Sequence, residues 1–127
     1  MKLLKTTGHY VNIDNITVID TFMENNLYYI QIFDTSGHAY RLPQAFNNID
    51  ERAKLINTLI DSSWLKTIHN EHNNRAYINP QFIEFFNIGK EDDTFYVYIN
   101  VMNRPYQYKW NLFNDYASCE AFLNAFM

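Results

Sequence analysis

Tyr10-Val11-Asn12-Ile13-Asp14-Asn15-Ile16 returns as Tyr77-Ile78-Asn79-Pro80-Gln81-Phe82-Ile83, at an offset of 67 positions. At that offset Tyr28-Tyr29-Ile30-Gln31-Ile32 falls on Phe95-Tyr96-Val97-Tyr98-Ile99, and Phe46-Asn47-Asn48-Ile49 on Phe113-Asn114-Asp115-Tyr116. One inserted residue places Tyr40-Arg41-Leu42 on Tyr108-Lys109-Trp110. Identical pairs include Tyr10/Tyr77, Asn12/Asn79, Ile16/Ile83, Glu24/Glu91, Tyr29/Tyr96 and Phe46/Phe113. Self-similarity at a fixed period is the mark of a repeated structural unit. The chain therefore reads as an internal duplication, with units at 1–61 and 62–127.

Each unit reads as strands followed by one helix. Lys2–Thr6 and His9–Asn12 flank the turn signal Thr7-Gly8, which predicts a hairpin. Ile16–Met23 and Leu27–Phe33 are rich in β-branched and aromatic residues, with Glu24-Asn25-Asn26 between them. Alternation sends Tyr28, Ile30 and Ile32 to one face and Tyr29, Gln31 and Phe33 to the other. His38–Leu42 returns as a strand before Pro43 ends it. Asn48, followed three residues later by Glu51, resembles a capping box. Behind it Ile49, Ala53, Ile56 and Ile60 recur at helical spacing. The second half predicts strands at Trp64–Ile68, Ala76–Asn79, Phe82–Ile88, Thr94–Val101 and Tyr106–Trp110, then a helix over 115–126. The fold class expected is α+β: two tandem ββββα units sharing one core as a pseudo-dimer. A half of about 60 residues is marginal alone, so the halves are expected to pack together.

The opening Leu4-Lys5-Thr6-Thr7-Gly8-His9-Tyr10-Val11-Asn12, with Ile16 and Ile19 following, resembles the small FlbD/SwrD flagellar-accessory module. The resemblance covers about one repeat at a time and implies the ββββα pattern. No function and no site residue is transferred from it.

A net charge of −4 disfavours a general phosphate-backbone binder, which normally shows a basic patch. No apolar run reaches the length of a membrane span, and the Lys2–Lys5 segment is not followed by a signal-peptide apolar stretch. A single Cys119 suits a reducing compartment, so the expected location is cytoplasmic.

Few residues suggest chemistry. His69-x-x-His72 with Glu71 has metal-ligand types, but a zinc site needs three or four protein ligands, so the segment reads as a polar hairpin tip. Cys119 lies near a predicted helix start, where a dipole can lower a thiol pKa, but a nucleophile also needs a base. A small buried or half-buried cysteine is the preferred reading. No Gly-rich phosphate loop, catalytic triad signature or Cys pair is present. The chain reads as non-enzymatic, with no catalytic residue, no metal and no cofactor.

The aromatic strands carry the functional expectation. Tyr29 and Tyr96 occupy equivalent positions, Tyr98 follows Tyr96 by two, and Arg41 and Lys109 are equivalent cations on the neighbouring strands. Three readings compete for this face. The two halves bury it against each other; a protein partner uses Tyr29, Tyr96, Tyr98, Arg41 and Lys109 as anchors; or a single-stranded nucleic acid stacks on the tyrosines. The functional expectation is a non-enzymatic protein-interaction or regulatory module. One version is a small phage or mobile-element accessory protein that binds and inhibits a host factor. The alternative is a single-stranded nucleic-acid binder using the same aromatic and basic face.

Overall fold

The computed structural model describes residues 2–70 and 74–127. Strand β1 (Leu3–Thr6) turns at Thr7-Gly8 into β2 (His9–Asn12), in the register Leu3↔Asn12 to Thr6↔His9. The Asn12 side chain then accepts a hydrogen bond from the Asp14 amide and starts a 3-10 turn over Ile13–Asn15. That turn feeds β3 (Ile16–Glu24), whose hairpin with β4 (Leu27–Asp34) closes through Asn25 and Asn26. Both have positive φ, 52° and 63°, the geometry that two-residue hairpin turns require and that asparagine tolerates best after glycine. Strand β5 (Ala39–Arg41) pairs with β4. Asn48 caps helix α1 (Ile49–Leu59) by accepting from the Glu51 amide.

The second half runs through the short strands β6 (Leu65–Lys66) and β7 (Tyr77–Ile78) to a 3-10 turn at Pro80–Phe82, capped by Asn79. Strands β8 (Ile83–Glu91), β9 (Thr94–Val101) and β10 (Gln107–Phe113) follow, then α2 (Tyr116–Phe126) with Asp115 at its N-cap. The molecule is α+β. Five strands, not four, precede each helix, because the short opening hairpin contributes two.

Registers coincide between the halves. Ile16 faces Asp34, then an irregularity shifts Val18 onto Phe33. Ile83 faces Val101, then the same irregularity shifts Phe85 onto Asn100. The β4–β5 pairs Gln31↔Arg41 and Ile32↔Tyr40 are matched by Tyr98↔Lys109 and Ile99↔Tyr108. Backbone closures match too: Thr7 N–H donates to Arg41 C=O, and Ile68 N–H to Lys109 C=O. Beyond Lys109 the β10 register shifts, with Trp110 between the paired residues Lys109 and Asn111.

Sheet membership crosses the boundary between 61 and 62. Strand β7 pairs with β3, at Val18↔Ile78 and Ile19↔Tyr77, giving a five-stranded sheet in the order β5-β4-β3-β7-β6. A three-stranded sheet β10-β9-β8 and the β1-β2 ribbon complete the strands. On one face of β3–β4, Ile19, Ile30 and Ile32 pack with Leu42 and Ile56 of α1. On the other, Val18 and Phe33 pack with Ile78, Ile99 and Val101 from the second half. Successive residues on a strand point to opposite faces, which is why Val18 and Ile19 enter different clusters. Each such buried side chain contributes about 1.5–3 kcal/mol, so the seam between the halves is a major source of stability.

Phe33 belongs to the face that one reading had the two halves bury against each other. Alternation placed it beside Tyr29 and Gln31 on the face away from α1, and it is on that face, 7% exposed. The second half covers it, with the Arg104 guanidinium carbon 3.6 Å from its ring centroid. The two halves therefore bury one end of this face, while Tyr29 at the other end is half-buried.

Candidate functional site

Strands β3, β4 and β5 bring Phe22, Tyr29 and Arg41 side by side. Phe22 lies opposite Tyr29 in the register, and their rings stack at 5.3 Å with planes 15° apart. The Arg41 guanidinium carbon sits 4.0 Å from the Tyr29 centroid and 5.1 Å from that of Phe22. Glu24, at the end of β3, faces the same cation at 3.8 Å. Guanidinium over an aromatic face is a cation–π arrangement, here closed by a carboxylate.

The second half builds a similar cluster, with only its second aromatic drawn from a different strand position. Lys109 Nζ lies 4.5 Å from the Tyr96 centroid and 2.7 Å from Glu91 Oε2. Tyr98 donates its hydroxyl hydrogen to the same Glu91 oxygen at 2.6 Å, and the Tyr96 and Tyr98 rings are 6.0 Å apart. At the position of Phe22 stands Gly89, opposite Tyr96; at that of Gln31 stands Tyr98. A Cβ on Gly89 would lie 2.6 Å from Tyr98 Cε2. The tyrosine ring thus occupies the space that the glycine leaves open, and an aromatic pair is restored beside the cation.

Electrostatics lock the second cluster. The hydrogen bond from Lys109, then that from Tyr98, holds the Glu91 carboxyl below its usual range. The same bond raises Lys109, and burial, followed by the Glu91 hydrogen bond, pushes the Tyr98 hydroxyl up to about 12. The Arg41, Glu24, Lys109 and Glu91 side chains are 41–54% exposed, so solvent screening leaves each ion pair little weight in stability. Their effect is on surface character: the cations carry carboxylate partners. Of the five residues expected at the site, Tyr29 and Arg41 meet in the five-stranded sheet, and Tyr96, Tyr98 and Lys109 in the three-stranded one. Glu24, Glu91 and Phe22 complete these clusters; the identical pair Glu24/Glu91 was visible in the sequence, and Phe22 was not foreseen.

A second polar cluster lies at the seam between the halves. Arg52, 2% exposed, donates to Asn74 Oδ1 at 2.8 Å and to the Phe22 carbonyl at 3.2 Å. The Thr21 hydroxyl donates to Arg75 C=O at 2.7 Å and accepts from Arg75 N–H at 2.8 Å. Asp20 accepts from the Thr21 amide, and burial raises its carboxyl above the ordinary range despite that bond and the nearby Arg104 and Arg52. These residues tie β3 and α1 to the β7 hairpin. No local sequence pattern announces them, since the bonds that cross the seam join residues 22 to 54 positions apart.

Cys119 is fully buried, and burial followed by Asp115 raises its thiol pKa, the opposite of what an activated thiolate needs. His69 is lowered by burial and then by Arg75; Glu71 and His72 lie outside the described residues. Among the described residues no group of three or more His, Cys, Asp or Glu could hold a metal, and no helix is long and apolar enough to cross a membrane.

No protein-family model, curated protein or solved structure matches this chain.

Proposed function

We propose that the chain is a duplicated, non-enzymatic protein-interaction module whose anchors are the aromatic–cation clusters at Tyr29/Arg41 and Tyr96/Tyr98/Lys109. The observation that carries this reading is the recurrence in both halves of an aromatic pair, a cation and a carboxylate, with the second aromatic supplied from a different position in each. Phe22 beside Tyr29 in one half and Tyr98 beside Tyr96 in the other supply an aromatic pair next to the cation. Tyrosine and arginine are favoured interface anchors because they bring large amphipathic area at low entropic cost. The carboxylates on Arg41 and Lys109 favour a protein partner over nucleic acid, because a phosphate would have to displace Glu24 or Glu91 from each cation.

The test is a pull-down from cells of the source organism, run with and without nuclease, for wild type and a Tyr29→Ala/Tyr96→Ala double variant. A stoichiometric protein that survives nuclease and is lost by the double variant is the expected result. Co-elution of nucleic acid, with all protein lost after nuclease, would overturn it in favour of single-strand binding. In that case an Arg41→Ala/Lys109→Ala variant would show a shallower salt dependence.

A further inference from the structure

The contact between the two halves is directional. Strand β7 of the second half lies on the outer edge of β3 of the first, with Asn79 N–H donating to Thr17 C=O at 2.9 Å and Asn79 Nδ2 to Ile16 C=O at 3.0 Å. The residues matching β7 in the first half are those of β2, and those matching β3 in the second half are those of β8. Among the described residues, neither the outer edge of β2 nor that of β8 carries a strand. One end of the molecule thus presents an unused donor strand and the other an unused acceptor edge.

Burial follows this asymmetry position by position. Thr17 and Val18 are fully buried beneath β7; their counterparts Glu84 and Phe85 are exposed, Phe85 by 54%. Tyr77 of β7 packs against the α1-side core, whereas its counterpart Tyr10 is 67% exposed. Ile56 of α1 is 1% exposed, and its counterpart Leu123 of α2 is only half-buried.

The geometry points to a second copy of this chain as the occupant: β2 of one molecule adds antiparallel to β8 of the next, repeating the β7–β3 joint between molecules. Val11 then faces Phe85, Tyr10 faces Phe86, and Tyr10 covers the open flank of α2 as Tyr77 covers that of α1. Asn12, which caps its own 3-10 turn as Asn79 does, supplies the donors to the Glu84 and Ile83 carbonyls. Main-chain pairing on an exposed edge is an established mode of association. Because donor and acceptor are different surfaces, the contact is heterologous and builds a ring or an open chain. Glu84, a charge where the internal joint has threonine, weakens the contact, as edge charges commonly do.

Light scattering on the full chain as a function of concentration tests this. Wild type is expected to rise above the 15.2 kDa of one chain, and Glu84→Thr to do so at roughly tenfold lower concentration, since a charge no longer has to be desolvated. Phe85→Glu and Tyr10→Glu, both at exposed positions, should each remain monomeric with unchanged circular dichroism. Mixed in equal amounts, they should form dimers, because one retains the donor and the other the acceptor. A wild type and a Glu84→Thr variant that both stay monomeric to millimolar concentration would overturn the proposal. So would single variants that associate like wild type, or a mixture that stays monomeric.

Discussion

Gly89 and Tyr98 show how little a single residue type says about its role. The glycine is in an ordinary strand conformation and is needed for space, since the Tyr98 ring crosses the place of its missing side chain. Asp20 has the opposite character: an ordinary acidic residue in sequence, made unusual by the seam that covers it. Its folded carboxyl titrates above the unfolded value of 3.8. The stability this group contributes is therefore complete below about pH 3.8 and is lost as pH rises through the folded value. Asparagine keeps the acceptor for the Thr21 amide and cannot ionise. Asp20→Asn should accordingly gain stability relative to wild type between pH 4 and pH 7, read as a widening difference in melting temperature. A difference that narrows would mean that attraction from Arg104 and Arg52 outweighs the cost of burial.

Among the elements, turns and caps do more to define the fold than strand composition does. Asn12 and Asn79, Asn48 and Asp115 all accept a backbone amide at equivalent points, fixing where the chain leaves each hairpin and enters each helix. The β4–β5 turn carries a further duty. Gly37 has φ of +82°, and a Cβ there would lie 2.5 Å from the Asn103 carbonyl oxygen of the second half. Asn103 also donates to the Thr35 carbonyl at 2.6 Å. Gly37→Ala is strained by its backbone and by contact with main chain that cannot swing aside. It should cost about 1–2 kcal/mol, measured as a lower urea midpoint with unchanged slope. A neutral result would show that this turn is free to separate from the second half.

For the whole molecule, the shared five-stranded sheet makes the halves interdependent. Without residues 62–127 the first half would expose Val18 and Phe33 and lose the strand on β3. A fragment of residues 1–61 should therefore be unfolded or aggregated by circular dichroism, and the full chain should unfold in one transition by fluorescence and far-ultraviolet signal together. A folded, monomeric fragment, or two resolved transitions, would show that the seam is dispensable.

The strand and helix segments, the helix cap at Asn48 and the grouping of Tyr29 with Arg41 and of Tyr96 with Lys109 were all legible in the residues. They depend on alternation, propensity and short-range hydrogen bonds, which act over a few positions. A further repeat, Leu4-Lys5-Thr6 with Leu65-Lys66-Thr67, lay at a different offset behind the longer second hairpin loop and was hidden by it. The Asp20–Arg52 seam and the placement of β7 on β3 were not legible. Each depends on which edge one half presents to the other, and partners tens of residues apart leave no local pattern. Local residue patterns set the elements and their order; which edges and faces remain open follows from how the halves dock.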